Sequence, residues 1–283
     1  MYNDSFRKRY KTAPVAITEN TSHFDTAPHI HREVEILMIK DGNAEITVSD
    51  RNFKVSAGEI VIVNPLEVHA VLADRSAPYH QRCICFDLSL IVDKELRESL
   101  ALGESTITEF HNKEYETTKE LTDIFEMLFD AVSMNSEELF LESVAYVSLA
   151  FAKLKKLNMI LTKKGKNKKS AFVSEVQAYL SEHFSEEITS SDISKELFYN
   201  QSYFCRLFRE NFGVSFLEYL TLYRVSNAKI LLSAGNLSIS DVAERVGFLD
   251  ASYFSRCFKK IVGYSPSYYR KRQTSGGKKS IQS

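Results

Sequence analysis

At 283 residues, with 44% hydrophobic and 26% charged side chains, the chain can bury one large core or two ordinary ones. No apolar run approaches the roughly 18–20 residues that cross a bilayer, and the basic residues 1–11 have no apolar stretch behind them, so neither a membrane span nor an export signal is expected. The net charge of −1 conceals a division: residues 162–283 carry 19 Lys and Arg against 11 Asp and Glu, whereas residues 1–161 carry 17 against 26, and a basic half suits a polyanionic partner.

In chain order, residues 15–17 predict a strand. The apolar run 35–40, the Asp41-Gly42 turn and the alternating Ala44-Glu45-Ile46-Thr47-Val48 predict a hairpin. Further strands are expected at 53–55, 60–63, 68–72 and 82–86. Short strands separated by frequent turns indicate a β-sandwich or small barrel. His29, His31, Glu35 and His69 fall on or beside these strands. Three imidazoles and a carboxylate can floor a pocket for an organic ligand or ligate a divalent metal. Apolar walls with a few polar groups favour the pocket, and no metal is asserted. The four cysteines, Cys83, Cys85, Cys205 and Cys257, form no CxxC pair and are expected as reduced thiols in a reducing compartment. Cys205 also admits a thiol-sensing role.

Residues 116–134 show helical apolar spacing at Leu121, Ile124 and Leu128, with Phe125 and Phe129 beside them. A second helix is expected from 139 to about 161, with Ser136 as a capping signal. Phe140, Val144, Val147 and Phe151 share one of its faces; Leu141, Ala145 and Leu149 share another. So wide an apolar arc calls for cover on two sides, one from the barrel and one from elsewhere in the domain or from a second subunit. The lysine-rich stretch 163–169 reads as linker. The expected domains are therefore 1–161, a linker at 162–170, a second domain at 171–273 and a disordered tail at 274–283.

The second half predicts helices at 172–183, 190–198, 201–212 and 216–232, then a motif that ends the chain's ordered part. Val242, Ala243 and Val246 mark one helical face, and Gly247 sits where a left-handed residue ends a helix. A further helix starts near Asp250, buries Phe254, Cys257, Phe258 and Ile261, and closes at Gly263. Pro266 opens a last turn through Tyr268 and Tyr269. The face carrying Ser252, Ser255, Arg256 and Lys259 is polar and cationic. Helix, glycine turn and polar second helix make a helix-turn-helix, whose second helix can enter a major groove.

The pattern occurs twice. Ser202-Tyr203-Phe204-x-Arg206-x-Phe208-Arg209 matches Ser252-Tyr253-Phe254-x-Arg256-x-Phe258-Lys259. Gly213-x-Ser215 matches Gly263-x-Ser265, and Ser191-Asp192-Ile193 matches Ser240-Asp241-Val242 with the second turn one residue longer. Phe204, Phe208, Phe254 and Phe258 are expected in the core. The groove-facing candidates are Asn200, Gln201, Ser202, Cys205, Arg206 and Arg209 in the first motif. In the second they are Asp250, Ser252, Ser255, Arg256 and Lys259. Arg206 and Arg256 suit base contact, because a guanidinium pairs bidentately with guanine.

From about residue 188 to 272 the sequence resembles the DNA-binding domain of the AraC/XylS transcription regulators. The resemblance rests on both motifs, on Tyr219, Arg224, Ala228, Leu231 and Leu232 between them, and on Val246-Gly247-Phe248 through Pro266, Tyr269 and Arg270. It departs once, where Phe216 stands in place of Pro266. Residues 24–90 resemble the two motifs of the cupin barrel, through His29-x-His31, Glu35 and Gly42, then Gly58, Pro65 and His69. The second cupin motif is incomplete at Glu67 and Ala73. These resemblances imply a two-domain α+β protein. An N-terminal cupin-like β-barrel with a helical hairpin precedes a C-terminal all-α double helix-turn-helix. They imply a cytoplasmic, sequence-specific DNA-binding transcription regulator, activator or repressor, that is not an enzyme. Its effector would be a sugar or other metabolite bound near His29, His31, Glu35 and His69, and it would need no cofactor. Its partners would be double-stranded DNA, a second copy of itself as a homodimer, and RNA polymerase. The alternative is a metal-dependent cupin enzyme fused to a DNA-binding tail.

Overall fold

The computed structural model describes residues 8–9, 14–21, 25–108, 116–134, 138–162, 168–235 and 237–275. The chain divides into two units, residues 1–26 with 32–174, and residues 27–31 with 175–283. In the first unit the strands are β1 (Lys8–Arg9), β2 (Val15–Asn20), β3 (Val34–Asp41), β4 (Asn43–Val48), β5 (Arg51–Ser56), β6 (Ile60–Val63), β7 (His69–Ala73) and β8 (His80–Phe86). They pair antiparallel in a five-stranded sheet, β1-β2-β8-β3-β6, and a three-stranded sheet, β5-β4-β7.

Strand alternation sends side chains of the larger sheet into two different cores. Val15, Ile17, Val34, Ile36, Ile62, Ile84 and Phe86 pack with the helices that follow. Ala16, Leu37, Ile39, Val61, Val63, Cys83 and Cys85 face inward against Ala44, Ile46, Val48, Val55 and Val71 of the smaller sheet. Both faces of β3 and β6 are covered, so these strands read as unbroken apolar runs. Gly42 makes the β3–β4 turn at φ +77, where a Cβ would sit 2.2 Å from the Pro78 carbonyl oxygen, so no other residue fits.

A short 3-10 helix (Leu88–Leu90) leads to α1 (Lys94–Ala101), β9 (Ser105–Ile107), α2 (Glu116–Met134), α3 (Leu139–Lys156) and β10 (Ile160–Thr162), which pairs with β9. The helix that begins at Leu139 does not reach 161: Asn158 takes φ +55 and the chain turns back as a strand. Its buried stripe is Leu139, Ser143, Val147, Ala150, Phe151 and Leu154, and Phe140 is half-exposed. Ser136 and the linker core at 163–167 lie outside the described residues. Thr162 ends a strand, and residues 168–170 open a helix.

The helices that follow are α4 (Lys168–His183), α5 (Ser190–Glu196), α6 (Gln201–Phe212), α7 (Phe216–Ala234), α8 (Ile239–Arg245), α9 (Ala251–Val262) and α10 (Pro266–Ser275). Capping boxes start three of them: Thr189 with Asp192, Ser215 with Glu218, and Ser238 with Asp241. In all three the carboxyl pKa is held below its usual range, first by the partner hydroxyl and then by a backbone N–H. The 19 residues of α7 span about 28 Å. Tyr219, Leu220, Leu222, Tyr223, Val225, Ala228 and Leu232 bury it on most sides, so it serves as the spine for both motifs. Among the described residues no helix is long and apolar enough to cross a membrane. Residues 276–283 of the expected tail lie outside the description, while 274 and 275 end α10.

Candidate nucleic-acid interface and effector site

Each motif is a short helix, a turn and a capped recognition helix. In the first, Phe198 takes φ +58 after α5, and Asn200 accepts hydrogen bonds from Ser202 N (3.0 Å) and Tyr203 N (3.3 Å) to cap α6. In the second, Gly247 takes φ +87 after α8, and Asp250 accepts from Tyr253 N at 2.6 Å to cap α9. Both recognition helices end on a left-handed glycine, Gly213 and Gly263.

Burial follows the sequence pattern. Phe204, Phe208, Phe254 and Phe258 are all fully buried. The first pair joins Phe212, Phe216 and Tyr219 in an edge-and-face aromatic cluster with centroids 4.3–6.0 Å apart. The second packs with Val242, Ala243, Val246 and Phe248 against Val225, Ala228 and Leu232. Phe216, the departure from the Pro266 pattern, is buried at the first position of α7 and supplies an aromatic ring to that cluster.

On the outward faces Gln201, Ser202, Cys205, Arg206 and Arg209 are exposed on α6, and Ser252, Arg256 and Lys259 on α9, with Ser255 half-buried. Each arginine lies over the tyrosine three residues before it: Arg206 is 5.3 Å from the Tyr203 ring and Arg256 is 5.9 Å from the Tyr253 ring. Arg206 has a further loose contact with Glu210 at 3.9 Å. Three candidates carry prior commitments: the oxygens of Asn200 and Asp250 serve as caps, and Gln201 Nε2 donates to Ser190 Oγ at 3.2 Å. The sequence reading did not single out Tyr203 and Tyr253 as functional, although their i, i+3 spacing to the arginines was visible.

Arg224 anchors the spine. Its Nε donates to the Phe184 carbonyl (2.8 Å) and Nη2 to the Glu186 carbonyl (2.7 Å), and burial lowers its pKa. Gly247 lies close to the same connection. A Cβ there would stand 2.8 Å from the Ser185 carbonyl oxygen and 2.9 Å from Ser185 Cα.

In the barrel, Glu35 of β3 and His69 of β7 are buried, with His69 Nε2 2.8 Å from Glu35 Oε2. His69 Nδ1 donates to the Glu67 carbonyl at 2.9 Å; a carbonyl only accepts, so Nδ1 carries a proton and Nε2 is the inward nitrogen. His31 is buried and His29 half-buried, their rings 5.9 Å apart. All four residues offer ligand atoms within 4.8 Å of one another, a grouping that fits a polar ligand and, in donor type, a divalent ion.

The inner face holds more polar groups than the sequence reading collected. Thr18, Asn20 and Gln81 are buried there, and among the described residues Asn20 Nδ2 has no hydrogen-bond partner. The Tyr79 hydroxyl donates to Gln81 Oε1, and burial, reinforced by Cys83 and Asp25, pushes its pKa far above the phenol range. Cys83 and Cys85 both donate to Glu35 Oε1, at 2.7 and 3.3 Å. The signal for these two was their i, i+2 spacing on a strand paired with β3.

The fold and these surfaces define a class of protein, a β-barrel sensor domain joined to two consecutive helix-turn-helix units that bind DNA. Two family descriptions match accordingly, "AraC-like ligand binding domain" over residues 13–149 and "Helix-turn-helix domain" over residues 193–272. The chain belongs to the AraC family of transcription regulators. It is 28% identical to the HTH-type transcriptional regulator YisR of Bacillus subtilis, over 84% of this chain and 85% of that protein. It is 24% identical to the melibiose operon regulatory protein of Escherichia coli, over 88% and 85%. In three dimensions it resembles the unsaturated-fatty-acid-bound ToxT of Vibrio cholerae, with a TM-score of 0.58, 16% identity, and 94% and 97% of the two chains covered.

Proposed function

We propose that α6 and α9 each read a segment of one DNA duplex and that a small polar metabolite of the sugar class, held in the barrel, controls the reading. The observation that carries the DNA half is the repeated outward Tyr–Arg pair, each arginine exposed above a buried Phe pair. Arg206 and Arg256 contact bases. Ser202, Cys205, Ser252 and Ser255 line the groove, and Arg209 and Lys259 meet phosphates. Asn200, Gln201 and Asp250 shape the helix N-termini that approach the backbone. Fluorescence anisotropy on an operator fragment tests this. Arg206→Ala and Arg256→Ala should each cost about 1–3 kcal/mol of specific binding, and the double variant should bind every sequence alike. Unchanged specificity in the double variant overturns the assignment.

Buried Thr18, Asn20, Gln81, Glu35 and His69 support a hydrogen-bonding effector, with Asn20 Nδ2 still to be satisfied. The melibiose operon regulator accords with a sugar. The expected result is a raised Tm with one member of a saccharide panel and no rise in Asn20→Leu. The barrel then acts by binding and not by catalysis. The enzyme alternative requires a turnover that fails on His31→Ala. A second copy of the chain covers the exposed Phe140, Leu141 and Leu149 of α3. Sedimentation of Leu141→Glu/Leu149→Glu as a monomer checks that homodimer. The partners are double-stranded DNA and, at the promoter, RNA polymerase, which places the protein in the cytoplasm.

A further inference from the structure

We propose that Cys83, Cys85 and Glu35 form a site for one thiophilic divalent ion of the Zn2+ class on the inner face of the barrel, with His69 as its positioning residue. Glu35 and Cys85 are directly opposed across β3 and β8, and Cys83 is two residues along the same face. The three ligand atoms are already grouped, and all three residues are buried.

The distances admit an ion in place of the thiol hydrogen bonds. The two Sγ atoms are 3.7 Å apart. Zinc–thiolate bonds of about 2.3 Å at a tetrahedral angle put two sulfurs about 3.8 Å apart. With a zinc–oxygen bond of about 2.0 Å the sulfur–oxygen edge is about 3.5 Å. Cys85 Sγ to Glu35 Oε1 is 3.3 Å. Only the Cys83 Sγ–Glu35 Oε1 edge, at 2.7 Å, has to widen, by about 0.8 Å. His69 holds the other carboxylate oxygen at 2.8 Å and is itself fixed through Nδ1 by the Glu67 carbonyl. That chain of contacts presents Oε1 to the sulfurs and is the outer-layer support that metal ligands require.

The donor chemistry selects the ion. Two thiolates with one carboxylate favour Zn2+ over Mg2+ or Ca2+, which take oxygen ligands. On binding, each thiol gives its proton to solvent, so one Zn2+ replaces two H+, and the site with the Glu35 carboxylate carries a net charge of −1. The ion pins β8 to β3 beside the polar groups of the effector pocket. This goes beyond the sugar-class effector and does not rest on it.

The test uses the full chain, reduced, stripped with chelator and titrated with Co2+. One equivalent should produce sulfur-to-cobalt charge-transfer absorption, and one equivalent of Zn2+ should erase it. Cys83→Ser and Cys85→Ser should each weaken the band and the binding, and the double variant should lose both. His29→Ala/His31→Ala and Cys205→Ser/Cys257→Ser should keep it. His69→Gln, which retains a donor, should hold the ion better than His69→Ala. Absence of the band in the unaltered chain, or its survival in the Cys83→Ser/Cys85→Ser double variant, overturns the site. If a cysteine variant fails to fold by circular dichroism, the titration of the unaltered chain decides alone. Operator binding measured on the same sample separates the two ideas. DNA binding without a cobalt band removes the metal site and leaves the regulator reading standing.

Discussion

The two helix-turn-helix motifs do the same work with different backbone solutions. Both need a left-handed residue after the first helix. The second uses Gly247, because a side chain there would strike the Ser185 backbone. The first uses Phe198, a bulky residue at φ +58 whose side chain is 97% exposed and meets no such wall. The comparison separates two reasons for glycine. Backbone conformation alone costs about 1–2 kcal/mol and can be tolerated. A close approach cannot. The second turn is also one residue longer, with four residues between α5 and α6 and five between α8 and α9.

The sharpest break of this comparison is Gly247→Ala. Left-handed strain and the clash together should destabilise by about 3 kcal/mol, read as a lowered urea midpoint. Phe198→Gly, its mirror, should leave stability unchanged or raise it by up to about 1 kcal/mol. If the two substitutions matched in size, the close-approach account would fail. Next in size is Arg224→Met. It removes the guanidinium donor to the Phe184 and Glu186 carbonyls, of which Glu186 keeps the Ile188 N–H, and should cost about 2 kcal/mol, loosening the connection that Gly247 packs against.

Smaller effects sharpen the two recognition helices. Asn200→Ala and Asp250→Ala each remove a cap and should cost about 1 kcal/mol of stability. Asp250→Ser keeps a cap oxygen while removing a negative charge, so operator affinity should rise slightly with stability nearly unchanged; a fall would show that Asp250 touches a base. The smallest effect is in pH. Asp192 and Asp241, in matching capping boxes, have pKa values lowered first by their Thr189 and Ser238 partners. A carboxyl whose folded pKa is depressed stabilises above its unfolded pKa, and that stability is lost as pH falls through the ordinary carboxylate range towards the folded value. Thermal melts should therefore weaken on acidification through that range, and Asp192→Asn/Asp241→Asn should flatten the slope.

Much of the DNA-binding half was legible because its rules are local. Helical periodicity, cap residues and the repeat all act within about a dozen residues, so Phe204, Phe208, Phe254 and Phe258 were assigned to the core from spacing alone. The hairpin helix was harder. Its two apolar stripes are both written in sequence, and which one is buried depends on what packs beside it, so the sequence left the inward face open. The turn at Asn158 was missed for a related reason: β10 exists only because β9 pairs with it, fifty or so residues earlier in the chain.

Sequence by itself determined the repeated motif, the alternating strands and the basic half, because period, capping chemistry and charge need no knowledge of distant neighbours. Tertiary structure alone decided that Glu35 meets Cys83 and Cys85. That meeting depends on the order in which β3, β6, β7 and β8 assemble, and strand order is a non-local choice. It also decided why Gly247 has no substitute while Phe198 stands in the equivalent turn. The reason is physical: a dihedral preference belongs to one residue, whereas a close approach belongs to two.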